Sequence, residues 1–238
     1  MSLEIHTVTT PFIFHFTVNC YLVKTQTGFV LIDTAKADKR EFIENTLDEL
    51  GCKPGDLKLI ILTHGDFDHC GNAAYLREKY HTKITLHEAD RGMVEYGDMF
   101  WNRKQPNFLV KLMMRLLFRL SHPDRFKPDF YIKEGDNLAE YGFDAEVIEL
   151  PGHSRGSIGL LTADGNLFCG DLLANVGKPD VWSIMDDHTA CHVSVEKLKG
   201  KPIDMIYPGH GQPFPLHEFL KNIETPETLH NRVYERSS

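Results

Sequence analysis

The stretch from Leu57 to His69, LKLIILTHGDFDH, decides how this chain is read. It begins as a short apolar run and breaks at Thr63 into His64-Gly65-Asp66-Phe67-Asp68-His69. Six Leu, Ile and Lys residues bounded by the turn signal Pro54-Gly55-Asp56 read as a buried strand. Alternate residues of an extended loop point the same way, so His64 and Asp66 can face one metal ion. Asp68 and His69, at the turn into the next helix, can face a second. Gly65 and Gly71 permit the tight backbone, and Phe67 is expected to point into the core.

Three later strands end in the same manner. EVIEL runs into Pro151-Gly152-His153, LFC into Gly170-Asp171, and DMIY into Pro208-Gly209-His210. If these strands are neighbours, their ends converge on one sheet edge, where ligand sites of α/β proteins usually lie. Imidazole and carboxylate donors of this kind suit zinc, iron or manganese. Around them, PFIFHFTVNCYLVK reads as paired strands and GFVLID as a third. A helix is expected from about Lys39 to Leu50, capped by Asp38 with Glu41 and stopped by Gly51. Further helices are expected near Gly71–Tyr80, from Asp90 to about Leu120 and around Ser194–Leu198. The strands KITLH, AEVIEL, SIGLLT, NLFCG and IDMIY fall between and after them. The expectation is one α/β domain over residues 1–238, with an insertion at about 98–129.

The ordered set resembles the metal signature of the metallo-β-lactamase superfamily, usually His-x-His-x-Asp-His. GFVLIDTA ahead of it and PGHSRGSIG behind it match that family's habits, so the resemblance covers nearly the whole chain. It implies a four-layer αββα sandwich, here with a helical insertion, and a dinuclear site at one edge. Carried over, His64, Asp66 and His153 would hold one ion, Asp68, His69 and His210 the other, and Asp171 would bridge them. Two divalent ions are implied, zinc or iron, with manganese as a further option. The implied reaction is hydrolysis of an ester, lactone, thioester or phosphoester by a bridging hydroxide. Asp68 would orient that hydroxide and pass a proton to the leaving group.

Position 66 departs from the usual pattern, with Asp where zinc hydrolases of the family carry His. Two divalent ions, three carboxylates and a hydroxide sum to zero charge, whereas His at position 66 would leave one positive charge. The extra carboxylate favours harder metals such as iron. A di-iron protein handling oxygen or nitric oxide is therefore an alternative, and a nonenzymatic metal-dependent sensor or binding module is another.

Composition bounds the partners. The 238 residues are 42% hydrophobic and 25% charged, ordinary for a packed domain that needs no structural metal. A net charge of −8 without a basic cluster argues against nucleic acid and leaves a small-molecule substrate. MSLEIHTVTTPF shows no signal-peptide pattern, no run is long enough for stable membrane insertion, and five scattered cysteines suit reduced thiols, so a cytoplasmic location is expected. In NFLVKLMMRLLFRL, Lys111, Arg115 and Arg119 form one stripe on an otherwise apolar helix. That helix is expected to pack on the domain, pair subunits in a homodimer, or act as a lid with Met113, Met114 and Phe118 receiving an apolar group. Tyr96, Phe100, Trp101 and Trp182 are candidates for the pocket mouth. Asp33 reads as a structural acceptor, His81 and His87 as surface or packing residues, and Cys70 and Cys169 as small buried ones. His188 and His192 read as solvated or core residues, with pocket lining as the rival.

Overall fold

The computed structural model describes residues 3–12, 16–104, 109, 112 and 119–223. Two six-stranded sheets carry the architecture, one from each half of the chain. The first runs in the order β1 (Glu4–Pro11), β2 (Thr17–Lys24), β3 (Phe29–Ile32), β4 (Leu57–Ile61), β5 (Ile84–Leu86) and β6 (Phe130–Tyr131). β1, β2 and β3 pair antiparallel, and β3 through β6 pair parallel. The second sheet orders β12 (Phe214–Pro215), β11 (Met205–Gly211), β9 (Asn166–Asn175), β8 (Ile158–Thr162) and β7 (Ala145–Glu149), with β10 (Pro179–Val181) paired to β9.

The helices α1 (Arg40–Glu49), α2 (Phe67–Cys70), α3 (Ala73–Tyr80) and α4 (Arg91–Tyr96) belong to the first half. α5 (His188–Lys199) and α6 (Leu216–Ile223) belong to the second. Three apolar clusters define the layering. One joins the first sheet to its helices through Leu31, Ile60, Ile43 and Leu76; another joins the second sheet to α5 and α6 through Cys169, Val195 and Phe219. The third lies between the sheets, where Val30, Ile32 and Ile61 meet Val147, Leu160 and Phe168. Both faces of each sheet are thus covered, which is why β3, β4 and β8 read as nearly unbroken apolar runs. The fold is the expected αββα sandwich.

Several element boundaries differ from the sequence expectation. The first strand lies upstream, at Glu4–Pro11, and pairs with Thr17–Lys24. The Asp38–Glu41 capping box does not form: a short 3₁₀ turn at Ala37–Lys39 leads into α1, and neither start has a side-chain cap. The helix expected from Asp90 stops at Tyr96, because Gly97 adopts a left-handed conformation with φ +67°. Within the apolar stretch that follows, Leu109 and Leu112 are helical and exposed, while Lys111, Met113, Met114, Arg115 and Phe118 lie outside the described residues. The helix expected at Ser194–Leu198 starts earlier, at His188, where Asp187 caps it by accepting from the Ala190 N–H at 3.0 Å. No helix among the described residues is long and apolar enough to cross a membrane.

Candidate metal centre

β4 ends at Ile61, and the chain crosses the sheet edge through Thr63 and His64 into α2, which presents Asp68 and His69. Asp33, just past β3, anchors this loop. Its Oδ1 accepts from the Thr63 N–H at 2.8 Å and its Oδ2 from the Thr63 hydroxyl at 2.8 Å and His69 Nδ1 at 3.0 Å. With its hydroxyl proton committed to Asp33, Thr63 Oγ1 accepts from His64 Nδ1 at 3.0 Å. Both rings thereby carry hydrogen on Nδ1 and turn Nε2 inward, the arrangement a metal-binding imidazole needs. Asp33 adopts φ +59°, a strained left-handed conformation held by these three bonds.

The other two histidines are fixed by backbone carbonyls. His153 Nδ1 donates to Ile184 O at 2.7 Å, and His210 Nδ1 donates to Thr17 O at 2.7 Å. The Pro151-Gly152-His153 loop is held by the Ser194 hydroxyl on Pro151 O at 2.7 Å and by the Asp186 and Asp187 N–H groups on Gly152 O. Pro208 O accepts from the Tyr21 hydroxyl at 2.6 Å and from the Asn19 amide at 3.1 Å, so β2 of the first sheet secures β11 of the second.

All seven expected residues meet at one edge, each at most 8% exposed. Their donor atoms form three overlapping groups: His64 with Asp66 and His153, Asp68 with His69 and His210, and His64 with His69 and Asp171. Asp171 is central, its oxygens 3.1 Å from His210 Nε2, 3.4 Å from His69 Nε2 and 3.8 Å from His153 Nε2. Contrary to expectation, neither Asp171 nor His210 lies beyond the end of its strand. β9 continues to Asn175 through a kink at Gly170, φ +50°, and β11 shifts register between Tyr207 and His210 to follow it. Gly209 is required by crowding, since a Cβ there would stand 2.1 Å from Asp171 Oδ1.

The donor set fits a cation. His64 Nε2, His69 Nε2 and Asp171 Oδ1 are buried and make no hydrogen bond, an arrangement that costs free energy unless an ion satisfies it. Burial alone would raise the Asp171 carboxyl, but the positive charge of His210 and His69 holds it well below the usual carboxylate range. Burial would likewise lower His69, yet Asp171 and Asp33 push it up to about 10. His153 and His210 also end raised despite burial, through Asp66 and Asp171 respectively.

Two contributors went unseen in the sequence. Asp90, 1% exposed, accepts from Gly65 N–H at 3.1 Å, Gly156 N–H at 2.9 Å and the Ser154 hydroxyl at 2.6 Å. It ties the His64–His69 loop to the His153 loop. Arg103 binds both oxygens of Asp66, Nη1 to Oδ1 at 2.7 Å and Nη2 to Oδ2 at 2.9 Å. Burial would raise the Asp66 carboxyl, but the guanidinium, with His153 and His64, holds it well below the usual range. The expectation that Asp66 makes the centre more negative is therefore corrected: Arg103 returns the charge that replacing His by Asp removed. A third buried carboxylate was itself the signal that a cation had to lie nearby.

Above the donors opens a cavity of about 370 Å³, walled by Phe12, Phe16, Phe67, Met99, Phe100 and Trp182. Trp182 stacks on His210 with centroids 4.3 Å apart and planes at 11°. Phe67 thus faces the cavity, 5.9 Å from Phe12, rather than lying wholly in the core. Phe100 and Trp182 line the cavity as expected. Trp101 instead packs against Gly92, and Tyr96 leans on Trp101. His188 and His192 are not among the lining residues. His81 is the left-handed C-cap of α3, and His87 pairs with Glu149 at 3.1 Å. All five cysteines are free and buried.

Comparison with known proteins agrees with this geometry. A profile of the metallo-β-lactamase superfamily matches residues 14–210. A metallo-β-lactamase domain-containing protein 1 of Xenopus laevis is 28% identical over 78% of this chain and 67% of its own length. Hydroxyacylglutathione hydrolase GloC of Haemophilus influenzae is 28% identical over 76% of each chain. The solved structure of TTHA1623 in a di-iron-bound form superposes with a TM-score of 0.69 at 28% identity, covering 93% of this chain and 99% of that one. By the profile match across most of its length, this chain belongs to the metallo-β-lactamase superfamily, among whose hydrolases it stands.

Proposed function

We propose that the seven residues hold two divalent ions and that the chain hydrolyses an ester, lactone, thioester or phosphoester bearing an apolar group. The observation that carries this reading is the pairing of a donor-lined floor, with Nε2 of four histidines turned inward, and an aromatic cavity directly above it. His64, Asp66 and His153 would hold one ion, Asp68, His69 and His210 the other, with Asp171 shared. Ions bound there supply Lewis acidity and a water acidified to near neutrality. Asp68, on the cavity wall, orients the attacking oxygen and carries its proton to the leaving group. Trp182, Phe16 and Phe12 receive the apolar portion of the substrate and exclude water. Arg103 is the only Lys or Arg among the described lining residues, and Asp66 already engages it. The cavity therefore favours a neutral apolar acyl or aryl group over a polyanionic one.

Metal content of protein purified without added metal, followed by turnover of thioesters and phosphodiesters before and after chelation, tests the reading. Turnover that vanishes on chelation and returns with metal is expected; chelator-resistant turnover or none at all would remove it. The di-iron alternative has one observation in its favour, the likeness to TTHA1623 in its di-iron-bound form. Iron in the purified protein with oxygen or nitric oxide consumption from an electron donor would establish it instead.

A further inference from the structure

In the hydrolytic reading Arg103 is only a cation already engaged by Asp66, yet it grips a residue of the centre itself. The guanidinium grips Asp66 through two parallel bonds of 2.7 and 2.9 Å, and Nη1 also donates to Met99 O at 3.2 Å. The pair is largely shielded, with side chains 14% and 12% exposed. Asp66 Oδ2 in addition receives His153 Nε2 at 2.7 Å. Both Asp66 oxygens are therefore committed. Among the described residues, no Lys or Arg bonds to Asp68 or Asp171, whose neighbours are histidines.

A guanidinium matches a carboxylate with two donors at once and keeps its charge at any accessible pH. An ion settling beside Asp66 must share lone pairs that already accept N–H groups, next to a fixed positive charge. An ion at Asp68, His69 and His210 meets neither obstacle. We infer that Arg103 makes the two ion positions unequal. The Asp68, His69 and His210 group fills first, and the His64, Asp66 and His153 group fills second and more weakly. Arg103 acts here as a positioning residue through Asp66, not as a ligand. The inference rests on the two-ion reading above.

The experiment is a Zn²⁺ titration of the full-length, metal-stripped protein against a chromophoric chelator. It is repeated with Mn²⁺, following the paramagnetic spectrum for isolated and then paired ions. The wild-type protein is expected to bind two ions with affinities about a hundredfold apart, the scale on which a ligand's outer partner moves metal binding. Arg103→Met, which removes the fork and keeps most of the stem, should tighten the weaker step by about ten- to a hundredfold and leave the tighter one unmoved. Arg103→Lys should fall between. Asp66→Asn should abolish the weaker step alone, so a misfolded Arg103 variant does not block the test. Two ions of equal affinity in the wild type, or a weaker second step in Arg103→Met, would overturn the inference while sparing the two-ion reading. A single ion at saturation in both proteins removes the two together.

Discussion

The two halves of the molecule supply donors to one centre by opposite means. The first half delivers four of them in the single loop His64–His69 and holds the rings with side chains, Asp33 on His69 and Thr63 on His64. The second half delivers His153, Asp171 and His210 one at a time, from the loop after β7 and from within β9 and β11, and its rings are held by the carbonyls of Ile184 and, from β2 of the first half, Thr17. A carboxylate anchor adds charge to its histidine, whereas a carbonyl only aims it. The first half is thus tuned by substitutable side chains, and the second by backbone that substitution scarcely reaches.

The sharpest way to break this division is at Asp171, the carboxylate shared across it. Asp171→Ala should lower metal content and reduce turnover by about a thousandfold, equivalent to several kcal/mol of lost electrostatic stabilisation, read by metal analysis and kcat/KM. Asp33→Asn should weaken metal binding by about ten- to a hundredfold, because His69 loses its anionic partner. No second-half side chain is expected to match that effect from an anchoring position.

The anchoring of His69 also shows in pH dependence. His69 is pushed up to about 10, above its ordinary 6.5, so the stripped protein carries its proton at neutrality. An ion needs the neutral ring. Affinity should therefore rise with pH by about tenfold per unit for each proton displaced, and level off as pH passes the raised value. In the stripped protein, the stability this proton contributes is complete below pH 6.5 and lost as pH rises through about 10. Stability curves with and without Zn²⁺ should diverge across that window.

Smaller effects test the tie between the halves. Asp90→Ala strands the N–H groups of Gly65 and Gly156, so a loss of about 2–4 kcal/mol is expected in denaturant unfolding. Trp182→Ala should raise KM for apolar substrates several-fold with little change in kcat, consistent with about 1 kcal/mol of ground-state contact.

The seven residues were legible as a set because metal chemistry of this kind fixes residue type and order, and because Thr63, Gly152, Gly170 and Gly209 precede four of them, although only His64 and His153 lie beyond their strands. Asp33 was legible as an acceptor because it closes the buried strand GFVLID. Asp90 and Arg103 were not. Each acts on a loop distant in sequence, and a single Asp or Arg in a polar stretch carries no periodicity. The early strand at Glu4–Pro11 escaped for a related reason: its burial alternates weakly, and only pairing with Thr17–Lys24 defines it. Phe67 was only half placed, because an aromatic residue that packs on a core and one that also faces a cavity share the same pattern.

The buried thiols give the two halves separate clocks. Cys20, Cys52 and Cys70 sit in the apolar cluster of the first half, Cys169 and Cys191 in that of the second. Burial pushes Cys20 and Cys70 well above the ordinary thiol range and Cys52, Cys169 and Cys191 up to about 12. A thiol-reactive dye consequently modifies these positions only when their surroundings open, and the labelling rate at each reads the local opening equilibrium. Equal rates across all five would describe a molecule that opens as one piece; two families of rates would describe hemispheres that breathe independently.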